Sequence, residues 1–432
     1  MKITKRDLPY AQVMTLPKQK HKKPCRPFVP LHALIRVLSI PELLATRFRV
    51  NKIGMDKLGK KEPCLILMNH SCFLDLKIAS ACLFPRPFHI VCTSDGFVGK
   101  NLLMRLIGCI PTMKFVTDLT LVRDMLHVTR NLGGAILMYP EASYSFDGTA
   151  TALPRKFGVL LKKFDVPVIM IETRELFLRN PLYNELQQRK GANARARAYL
   201  LYSKEDVRTK SVKELSDGID EAFTFDHFQW QKDHGLEIHD DFRADGLHRI
   251  LYKCTECGCE EKMEGRGKVL TCHNCGKQHE LTPLGELKAL EGETKISHIP
   301  DYYRWEREQV RQEILDGTYE VDTDVTIAMQ VDYKAIYMVG EGHLTHDRNG
   351  FRLTGCDGKL NYTQKPQACY SLYADYYWYE IADCVCIGDN EVHYFLFPKE
   401  KGVSVAKMRL AVEEMYKLYK ARKLQPQTKD TI

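Results

Sequence analysis

The chain has 432 residues, of which 44% are apolar and 27% are charged, a composition that excludes global disorder. At roughly 100–200 residues per domain, its length accommodates two to four domains. The net charge of +8 is concentrated at the start of the chain, because residues 1–61 contain 15 Lys and Arg against three Asp and Glu. No run of 18 apolar residues occurs, and the best stretch, 28–45, is interrupted by Pro30, Arg36 and Pro41, so no transmembrane helix is expected.

Residues 1–59 are predicted to form a basic, amphipathic N-terminal region. Residues 1–30 are rich in Lys and Pro and are expected to be extended or mobile. Residues 31–49 predict a short helix with Leu31, Leu34, Ile35 and Leu38 on one side. A helix beside a basic segment is typical of binding to an anionic membrane surface, where each Lys or Arg adds about 1 kcal/mol. The alternative is a solvated basic tail followed by a helix that packs on the domain.

The start of the chain and the use of cysteine indicate the compartment. Residues 1–24 are polar and lack the apolar segment of a secretory signal. The 15 cysteines are an odd number, and most of them stand singly among apolar residues, which is unlike a disulfide framework. We therefore expect a cytoplasmic protein that associates peripherally with the inner face of the membrane.

Residues 60–222 alternate short apolar strands with segments of helical periodicity. This pattern predicts an α/β domain with a mostly parallel sheet flanked by helices. The predicted strands are 64–68, 89–93, 135–139, 166–172 and 196–201, and the predicted helices are 74–83, 100–107, 119–131, 156–164 and 210–222.

Residues 251–285, which follow a connector at 223–250, contain two Cys-x-x-Cys pairs separated by 14 residues. Each pair precedes a glycine where a tight turn requires positive φ. Four thiolates match the tetrahedral preference of Zn²⁺ and leave no open position, so we predict a zinc ribbon with a structural Zn²⁺. Cys259, His273 and His279 are spare ligands, and a redox pair or free thiols are the alternatives. The predicted metal ligands are Cys254, Cys257, Cys272 and Cys275.

The remainder of the chain predicts a helical linker at 286–319 and a β-rich domain at 320–424. Strand-like segments occur at 325–331, 335–339, 367–374, 376–381 and 392–397. A final helix begins near Ser404 and carries one apolar stripe that includes Met408 and Met415. This combination resembles the pleckstrin-homology-like architecture.

The segment Asn69 to Asp75 places His70 and Asp75 directly after a predicted strand, where α/β sheets bind their ligands. About one His-x4-Asp is expected by chance in such a chain, so the spacing alone is weak evidence. The side chains can meet only if His70 lies in the turn and Asp75 in the helix. Asp75 would then fix the tautomer of His70, whose other nitrogen could take a proton from a hydroxyl. The alternative is a histidine at a helix N-terminus with an unrelated aspartate.

Four stretches in this order resemble the motifs of the glycerolipid acyltransferases, the family that includes the 1-acyl-sn-glycerol-3-phosphate acyltransferases. The first is Asn69-His70-x4-Asp75. The second, 108–114, ends in Lys114 where the family usually has Arg. The third, 139–145, reads Tyr-Pro-Glu-Ala-Ser-Tyr-Ser where the family usually has Phe-Pro-Glu-Gly-Thr-Arg-Ser, and the fourth is the apolar strand 166–169. The segment 155–158 resembles the Lys-x-Gly that precedes that strand, and the resemblance covers about residues 60–205.

The resemblance implies acyl transfer from a thioester, acyl-CoA or acyl-carrier protein, to the hydroxyl of a lysophospholipid, with lysophosphatidate as the expected acceptor. His70 would be the general base and Asp75 the residue that orients it. Ala142 and Tyr144 depart from the third motif, so one expected phosphate-binding cation is missing. The residues that we assign to substrate binding are Asn69, Lys114, Glu141, Ser143, Arg155 and Lys156. Because a carboxylate repels a phosphate, Glu141 is expected to order a basic side chain or backbone amides.

A second interpretation is an inactive acyltransferase-like protein that acts as an adaptor through its ribbon. The missing Arg of the third motif favours this reading, whereas the intact His70 and Asp75 favour the enzyme. Lys and Arg around the ribbon are offset by Glu, which is unlike the one-sided basic patch of a nucleic-acid-binding surface. A nucleic-acid partner is therefore not expected.

Overall fold

The computed structural model of the chain describes residues 2–116, 118–154, 157–185, 187–400 and 402–422. Two of the predicted substrate-binding residues, Arg155 and Lys156, lie outside these ranges.

The first half of the chain builds a seven-stranded sheet in the order β2-β8-β7-β3-β6-β4-β5. Among these described strands, β7 and β8 form the antiparallel pair and the other neighbours are parallel. The sheet is thus mostly parallel, as predicted. The elements, in chain order, are β1 (Lys5–Asp7), α1 (Tyr10–Thr15), α2 (Val29–Ala45), β2 (Arg49–Ile53), β3 (Leu65–Met68), α3 (Asp75–Leu83), β4 (Phe88–Thr93), α4 (Asn101–Leu106), β5 (Cys109–Thr112), α5 (Leu119–Arg130), β6 (Ala135–Met138), α6 (Phe157–Phe164), β7 (Val168–Arg174), α7 (Leu176–Arg179), β8 (Arg195–Tyr202), α8 (Lys204–Thr209) and α9 (Val212–Ala222).

Both faces of this sheet are buried, which explains why its central strands are uninterrupted apolar runs. In β3, Ile66 and Met68 pack into a core shared with α2 and α3, whereas Leu65 and Leu67 pack into a core shared with α5, α6 and α9. The five strands predicted for this domain are present. The structure adds β5, within the second motif, and β2, which joins the predicted N-terminal region to the sheet through β8.

The segment between the two large domains contains one short helix and a small antiparallel sheet. The sheet has the order β12-β11-β10-β9, and the two Cys-x-x-Cys turns lie beside it. The elements are α10 (His227–Asp233), β9 (Met263–Arg266), β10 (Val269–Cys272), β11 (Gln278–Leu281) and β12 (Leu287–Ala289).

The last third of the chain is an antiparallel sheet in the order β16-β15-β14-β13-β19-β18-β17, with one helix on each side in sequence. The two strands predicted at 367–374 and 376–381 are wrong, because a loop up to residue 372 leads into the single strand β17. Positive φ at Tyr379 and Glu380 turns the chain there. The elements are α11 (Ile299–Asp316), β13 (Val321–Gln330), β14 (Ile336–Asp347), β15 (Gly350–Gly355), β16 (Leu360–Gln364), β17 (Tyr373–Trp378), β18 (Ala382–Gly388), β19 (His393–Pro398) and α12 (Val405–Lys420).

Helix α12 begins after Ser404, whose side chain accepts the N–H of Lys407 (3.1 Å). Its predicted apolar stripe is buried, but Arg409, Glu413 and Glu414 on other faces are buried as well. The prediction of a single stripe was therefore incomplete. The helix is covered on more than one side because it packs against α11, against the β-rich sheet and close to the α/β domain.

The N-terminal region contacts both large domains. Strand β1 pairs in parallel with β14 of the β-rich sheet, while His21 contacts Asp124 of α5 at 2.9 Å. Helix α2 continues through Pro41, which lies inside the predicted helical segment 31–49. Within the part of the chain that the structure describes, no helix is both long and apolar enough to span a bilayer.

Candidate active site

His70 and Asp75 meet where β3 ends and α3 begins. His70 lies in the turn after β3, and Asp75 is the first residue of α3. The Nδ1 atom of His70 lies 2.9 Å from Oδ2 of Asp75. The same oxygen accepts the backbone N–H groups of Ser71 (2.8 Å) and Cys72 (3.2 Å). These N–H groups fix the carboxylate, which favours the imidazole tautomer with its proton on Nδ1.

The second ring nitrogen of His70 is available to act as a base. Among the described residues, Nε2 has no hydrogen-bond partner, and the side chain keeps 19% of its surface exposed. Burial lowers the pKa of His70, Asp75 opposes this effect, and the charge of Lys114 adds to it. The imidazole is therefore neutral at neutral pH, which is the state that accepts a proton.

Two tyrosine rings enclose the imidazole of His70. Tyr139, at the end of β6, stacks on it with ring centroids 4.1 Å apart, and Tyr144 covers it at 4.0 Å and a 32° angle. Tyr144 also contacts Phe73 at 5.6 Å. The two rings restrict the orientation of the imidazole. Tyr144 makes a ring-to-ring contact with His70 that an arginine side chain could not make.

Glu141 connects the loop after β6 to the turn that carries His70. Its carboxylate accepts the N–H of His70 (2.8 Å) and the N–H of Thr151 (2.9 Å). The side chain is fully buried, and burial raises its pKa to about 7 despite these two bonds. Glu141 thus orders backbone amides beneath the site and does not line the cavity that His70 faces.

Asn69 and Ser143 also have supporting positions. The side-chain oxygen of Asn69 accepts the N–H of Thr173 (2.7 Å), and its amide donates to the carbonyl of the same residue (3.2 Å), which ties the end of β3 to β7. Ser143 donates to the carbonyl of Tyr144 (3.2 Å). Both side chains are buried and neither lines the cavity. The assignment of Asn69, Glu141 and Ser143 to substrate binding stays a prediction, and the contacts described here join their side chains to neighbouring protein groups.

His70 opens into a cavity of about 860 Å³ between the α/β domain and the β-rich domain. One part of its wall is apolar and belongs to the α/β domain. Another part is aromatic and belongs to the β-rich domain. The volume is that of a site for a medium-sized organic ligand. The apolar residues include Ile90, Val91, Met104, Ile107, Leu121 and Met125, and the aromatic ones include Tyr370, Tyr373, Tyr377, Trp378, Tyr379 and Tyr416.

Lys114, the last residue of the second motif, faces this cavity. Its ammonium lies 3.7 Å from the centroid of the Tyr373 ring and has no ion-pair partner within the described ranges. Burial lowers the pKa of Lys114, while the charges of Asp95 and Asp375 raise it. Asp375 is itself affected, since burial raises its pKa to about 6 against the attraction of Lys114. Lys114 therefore lies in a desolvated site that also contains the carboxyl groups of Asp95 and Asp375.

The structure brings His70, Asp75 and Lys114 together at one cavity. Sequence reasoning missed Tyr139 and Tyr144 as neighbours of the base, and it missed the wall that β17 contributes. The available signal was the density of aromatic residues at 370–379, where six of ten residues are Tyr or Trp. Aromatic side chains in such number serve a core equally well, so their position at the cavity was not predictable.

The four predicted zinc ligands form a compact cluster. Their sulfur atoms lie within 4.8 Å of one another, with Cys254 and Cys275 at 3.7 Å and Cys257 and Cys272 at 3.8 Å. Four sulfurs about 2.3 Å from a tetrahedral Zn²⁺ would lie roughly 3.8 Å apart, so the donor set fits this ion. Cys259 is not part of this cluster, and its thiol donates a hydrogen bond to the carbonyl of Glu260.

Both cysteine turns have the geometry of metal-binding knuckles. The N–H of Gly258 donates to the carbonyl of Cys254, and the N–H of Gly276 donates to that of Cys272, each at 2.9 Å. Both glycines have positive φ, +69° and +76°. The two turns therefore present equivalent pairs of thiols to a common centre.

Comparison with known proteins supports an acyltransferase domain. Residues 49–171 match the family model described as Acyltransferase, a range that contains all four motifs. No curated protein matches the chain at a significant level. Among solved structures, the chain is similar to the 1-acyl-sn-glycerophosphate (LPA) acyltransferase PlsC from Thermotoga maritima. The two are 14% identical, the match covers 45% of this chain and 76% of that chain, and the TM-score is 0.37.

Proposed function

We propose that the protein transfers a fatty acyl group from a thioester donor, acyl-CoA or acyl-carrier protein, to the hydroxyl of a lysophospholipid, with lysophosphatidate as the acceptor. One observation carries this proposal. In a domain that matches the acyltransferase family, His70 is oriented by Asp75 and presents a free Nε2 to a large, mostly apolar cavity.

The mechanism follows from this geometry. Nε2 of His70 takes the proton of the acceptor hydroxyl, whose oxygen attacks the thioester carbonyl. The tetrahedral intermediate collapses with cleavage of the carbon–sulfur bond, and His70 returns the proton to the thiolate that leaves. The carboxylate of Asp75 stabilises the imidazolium that exists between these steps. No acyl-enzyme is formed, because the acceptor hydroxyl is itself the nucleophile.

The cavity has an apolar part and a charged part, which suit the acyl chain and the phosphate of a lipid. We assign its apolar wall, which includes Met104 and Met125, to the acyl chain, and Lys114 to the phosphate of the acceptor. Lysine binds phosphate as a point charge. Arg155 and Lys156 are proposed as further phosphate ligands, since their neighbours Pro154 and Phe157 line the cavity.

We propose that the outer surface of α2 binds an anionic lipid bilayer. Leu34, Val37, Leu38 and Leu44 lie at helical spacing on this face and are between 49% and 73% exposed. The N–H of Phe28, just before α2, bonds to the carbonyl of Leu106 in α4 (2.7 Å). Leu102 and Leu103 of α4 are exposed as well, and Met104 and Ile107 line the cavity.

Basic residues flank this apolar surface. Lys22, Lys23 and Arg26 are exposed just before α2, a distribution that suits a surface of anionic headgroups. A cytoplasmic protein held at the inner face of the membrane in this way would meet its lipid acceptor there.

The ribbon and the β-rich domain complete the proposal. We propose that Cys254, Cys257, Cys272 and Cys275 hold one structural Zn²⁺, since all four ligand positions of the ion would be filled by protein. The β-rich domain is proposed to be pleckstrin-homology-like, an assignment supported by its strand order and by the closing helix α12.

The alternative is an inactive acyltransferase-like protein that works as an adaptor. The observation that favours it is Tyr144, which replaces a cation of the third motif and covers one face of His70. A protein that only binds a lysophospholipid or a protein partner would tolerate this covering, whereas a catalyst requires Nε2 to remain accessible.

The test is an acyl-transfer assay with purified protein, acyl-CoA or acyl-carrier protein as donor, and lysophosphatidate as acceptor. The His70→Ala variant is expected to lose about 10²–10⁴-fold in rate. His239→Ala is the matched control, since the side chain of His239 is 70% exposed and does not line the cavity. Equal activity in the wild type and His70→Ala, or no activity with either donor, would contradict the proposal.

Membrane binding is tested separately by flotation with vesicles that contain anionic phospholipid. Leu38→Asp, at a side chain that is 64% exposed on α2, is expected to weaken binding at least about 10-fold. Leu290→Asp in the ribbon, at a side chain that is 52% exposed, is the control. Equal weakening by both variants would refute α2 as the binding face.

A further inference from the structure

The two positions at which the third motif departs from the family pattern both contact the C-terminal half of the chain. Ala142 packs against the apolar cluster that includes Trp378 and Phe395 of the β-rich sheet. Its backbone has φ of +54°, the left-handed region that a glycine adopts without strain. Tyr144 packs against a large core cluster that joins α/β-domain residues such as Phe146 and Phe177 to the C-terminal half. The loop that carries Tyr144 is therefore held from outside its own domain.

Arg409 of α12 makes the most direct of these contacts. One of its terminal nitrogens donates to the carbonyl of Tyr144 (3.4 Å). Its guanidinium lies 4.5 Å from the ring centroid of Phe146, two residues further along the same loop. The side chain is only 3% exposed and does not line the cavity, so it is placed to hold the loop rather than to touch a substrate.

Arg409 is itself held by a buried network of charges between α11 and α12. Its Nε donates to Glu413 (3.4 Å), which also accepts from Arg307 (2.7 Å) and from the hydroxyl of Ser371 (2.7 Å). Burial opposes ionisation of Glu413, yet the two arginines hold its pKa at about 2. The network is fully ionised at neutral pH and fixes the guanidinium of Arg409 in one place.

We propose that Arg409 is a positioning residue for the catalytic base: it fixes the backbone of Tyr144 so that the tyrosine ring stays packed on His70. The inference deepens the proposed function, because it assigns part of the catalytic loop's geometry to the C-terminal helix. Arg409 thus supports the third-motif loop from α12 and does not line the cavity.

Release of Tyr144 would change the surroundings of His70 in a defined direction. The groups that face His70 are Asp75 from α3, Lys114 after β5, Tyr139 at the end of β6, and Tyr144 and Glu141 from the third-motif loop. Arg409 contacts the backbone of Tyr144, and its charge also lowers the pKa values of Glu141 and Lys114. Loss of the ring admits water to the imidazole, so its reactivity toward small electrophiles and its titration midpoint both rise.

The experiment compares the wild type with Arg409→Met and with the control Arg311→Met. Arg311 belongs to the same charge network through Glu414 (3.1 Å) but does not contact the third-motif loop. The probe is diethyl pyrocarbonate, and the rate at which His70 is modified is followed by mass spectrometry across the pH range. The full-length chain is used throughout, and circular dichroism confirms the fold of each variant.

In Arg409→Met we expect His70 to react at least about 5-fold faster, with a higher titration midpoint, while Arg311→Met behaves as the wild type. The turnover number for acyl transfer should fall about 10–100-fold with little change in KM, since the base rather than the binding site is displaced. If Arg409→Met does not fold, the double variant Arg409→Met/Glu413→Gln takes its place in the comparison. The double variant removes both charges of the Arg409–Glu413 pair.

Unchanged modification of His70 in the folded Arg409 variant would overturn the inference, and so would an equal effect of Arg311→Met. Modification of His70 does not require turnover. A wild type without acyltransferase activity would therefore refute the proposed function, while the labelling still decides whether Arg409 positions the base.

Discussion

Replacing Asp75 with asparagine isolates the charge of the residue that orients the base. The amide oxygen of the new side chain can still accept the N–H groups of Ser71 and Cys72, as Oδ2 of Asp75 does at 2.8 and 3.2 Å. The turn should therefore keep its shape. What is lost is the negative charge that lies 2.9 Å from Nδ1 of His70 and stabilises the imidazolium.

The magnitude follows from this distance. The centre of the imidazolium charge is roughly 4 Å from the carboxylate, where two unit charges interact by about 4 kcal/mol at an effective dielectric of 20. An amide that accepts the same hydrogen bond recovers part of this energy. We therefore expect the plateau value of kcat/KM to fall about 10²–10³-fold, since each 1.36 kcal/mol is tenfold in rate.

The pH profile of activity should shift in a direction that follows from the pKa of His70. Burial lowers the pKa of His70, and Asp75 acts against burial. Removing the charge of Asp75 lowers the pKa further, so the pH at which activity is lost on acidification must move down while the plateau falls. The assay is kcat/KM for acyl transfer between about pH 5 and pH 9. A fall of less than about 3-fold, or a shift of the acidic limb to higher pH, would refute the assignment of Asp75.

Three further predictions concern the phosphate site, the loop beneath the base and the metal. Lys114→Met should raise KM for lysophosphatidate about 10-fold or more with a smaller effect on kcat, as measured by initial rates; an effect confined to kcat would contradict a binding role. Glu141→Ala leaves two buried N–H groups unpaired, at about 1–3 kcal/mol each, so the midpoint of thermal unfolding should drop by several degrees, whereas Glu141→Gln should recover only part of this loss, because its one amide oxygen can accept only one of the two N–H groups. Elemental analysis should find one Zn²⁺ per chain, and Cys272→Ser should lose it and lower the unfolding midpoint; Cys259→Ser, at a thiol outside the cluster, should retain it.

The features that the sequence predicted well depend on local spacing. His70 and Asp75 are five residues apart, and only a turn followed by a helix brings them together. The spacing therefore predicts the local backbone conformation. The same is true of the two cysteine pairs, each of which needs one turn and one glycine. Uninterrupted apolar strands likewise identified the buried sheet, because burial on both faces removes the alternation of polar residues.

The features that were missed depend on contacts between distant segments. Tyr144 was read as the loss of a phosphate ligand, since no local pattern indicates that its ring packs on His70 while Arg409 holds its backbone from 265 residues away. Asn69 was assigned to the substrate for a similar reason. Its side chain bonds to the backbone of Thr173 in β7, a partner that the local sequence does not indicate.

Helix α2 shows a third kind of difference. Its two prolines interrupt the apolar run but not the helix, because the first lies in the opening turn, where proline is well tolerated, and the helix accommodates the second at Pro41. The exposed apolar residues of its outer face were grouped with inward-facing ones such as Leu31 and Ile35, because both sets follow a helical period.

The pairing of β1 with β14 gives this chain a constraint on the order in which it can be built. Residues 5–7 are made first, but their partners at 336–338 are made some 330 residues later. At about 5–20 residues per second, the ribosome needs roughly 15–65 s to close that interval. Throughout this time residues 5–7 have been synthesised but lack their partner strand, and they are accessible to chaperones, proteases and anionic membranes. Pairing of β1 with β14 is therefore among the last steps of folding. A tag or truncation at the start of the chain would affect the β-rich domain, which is synthesised last.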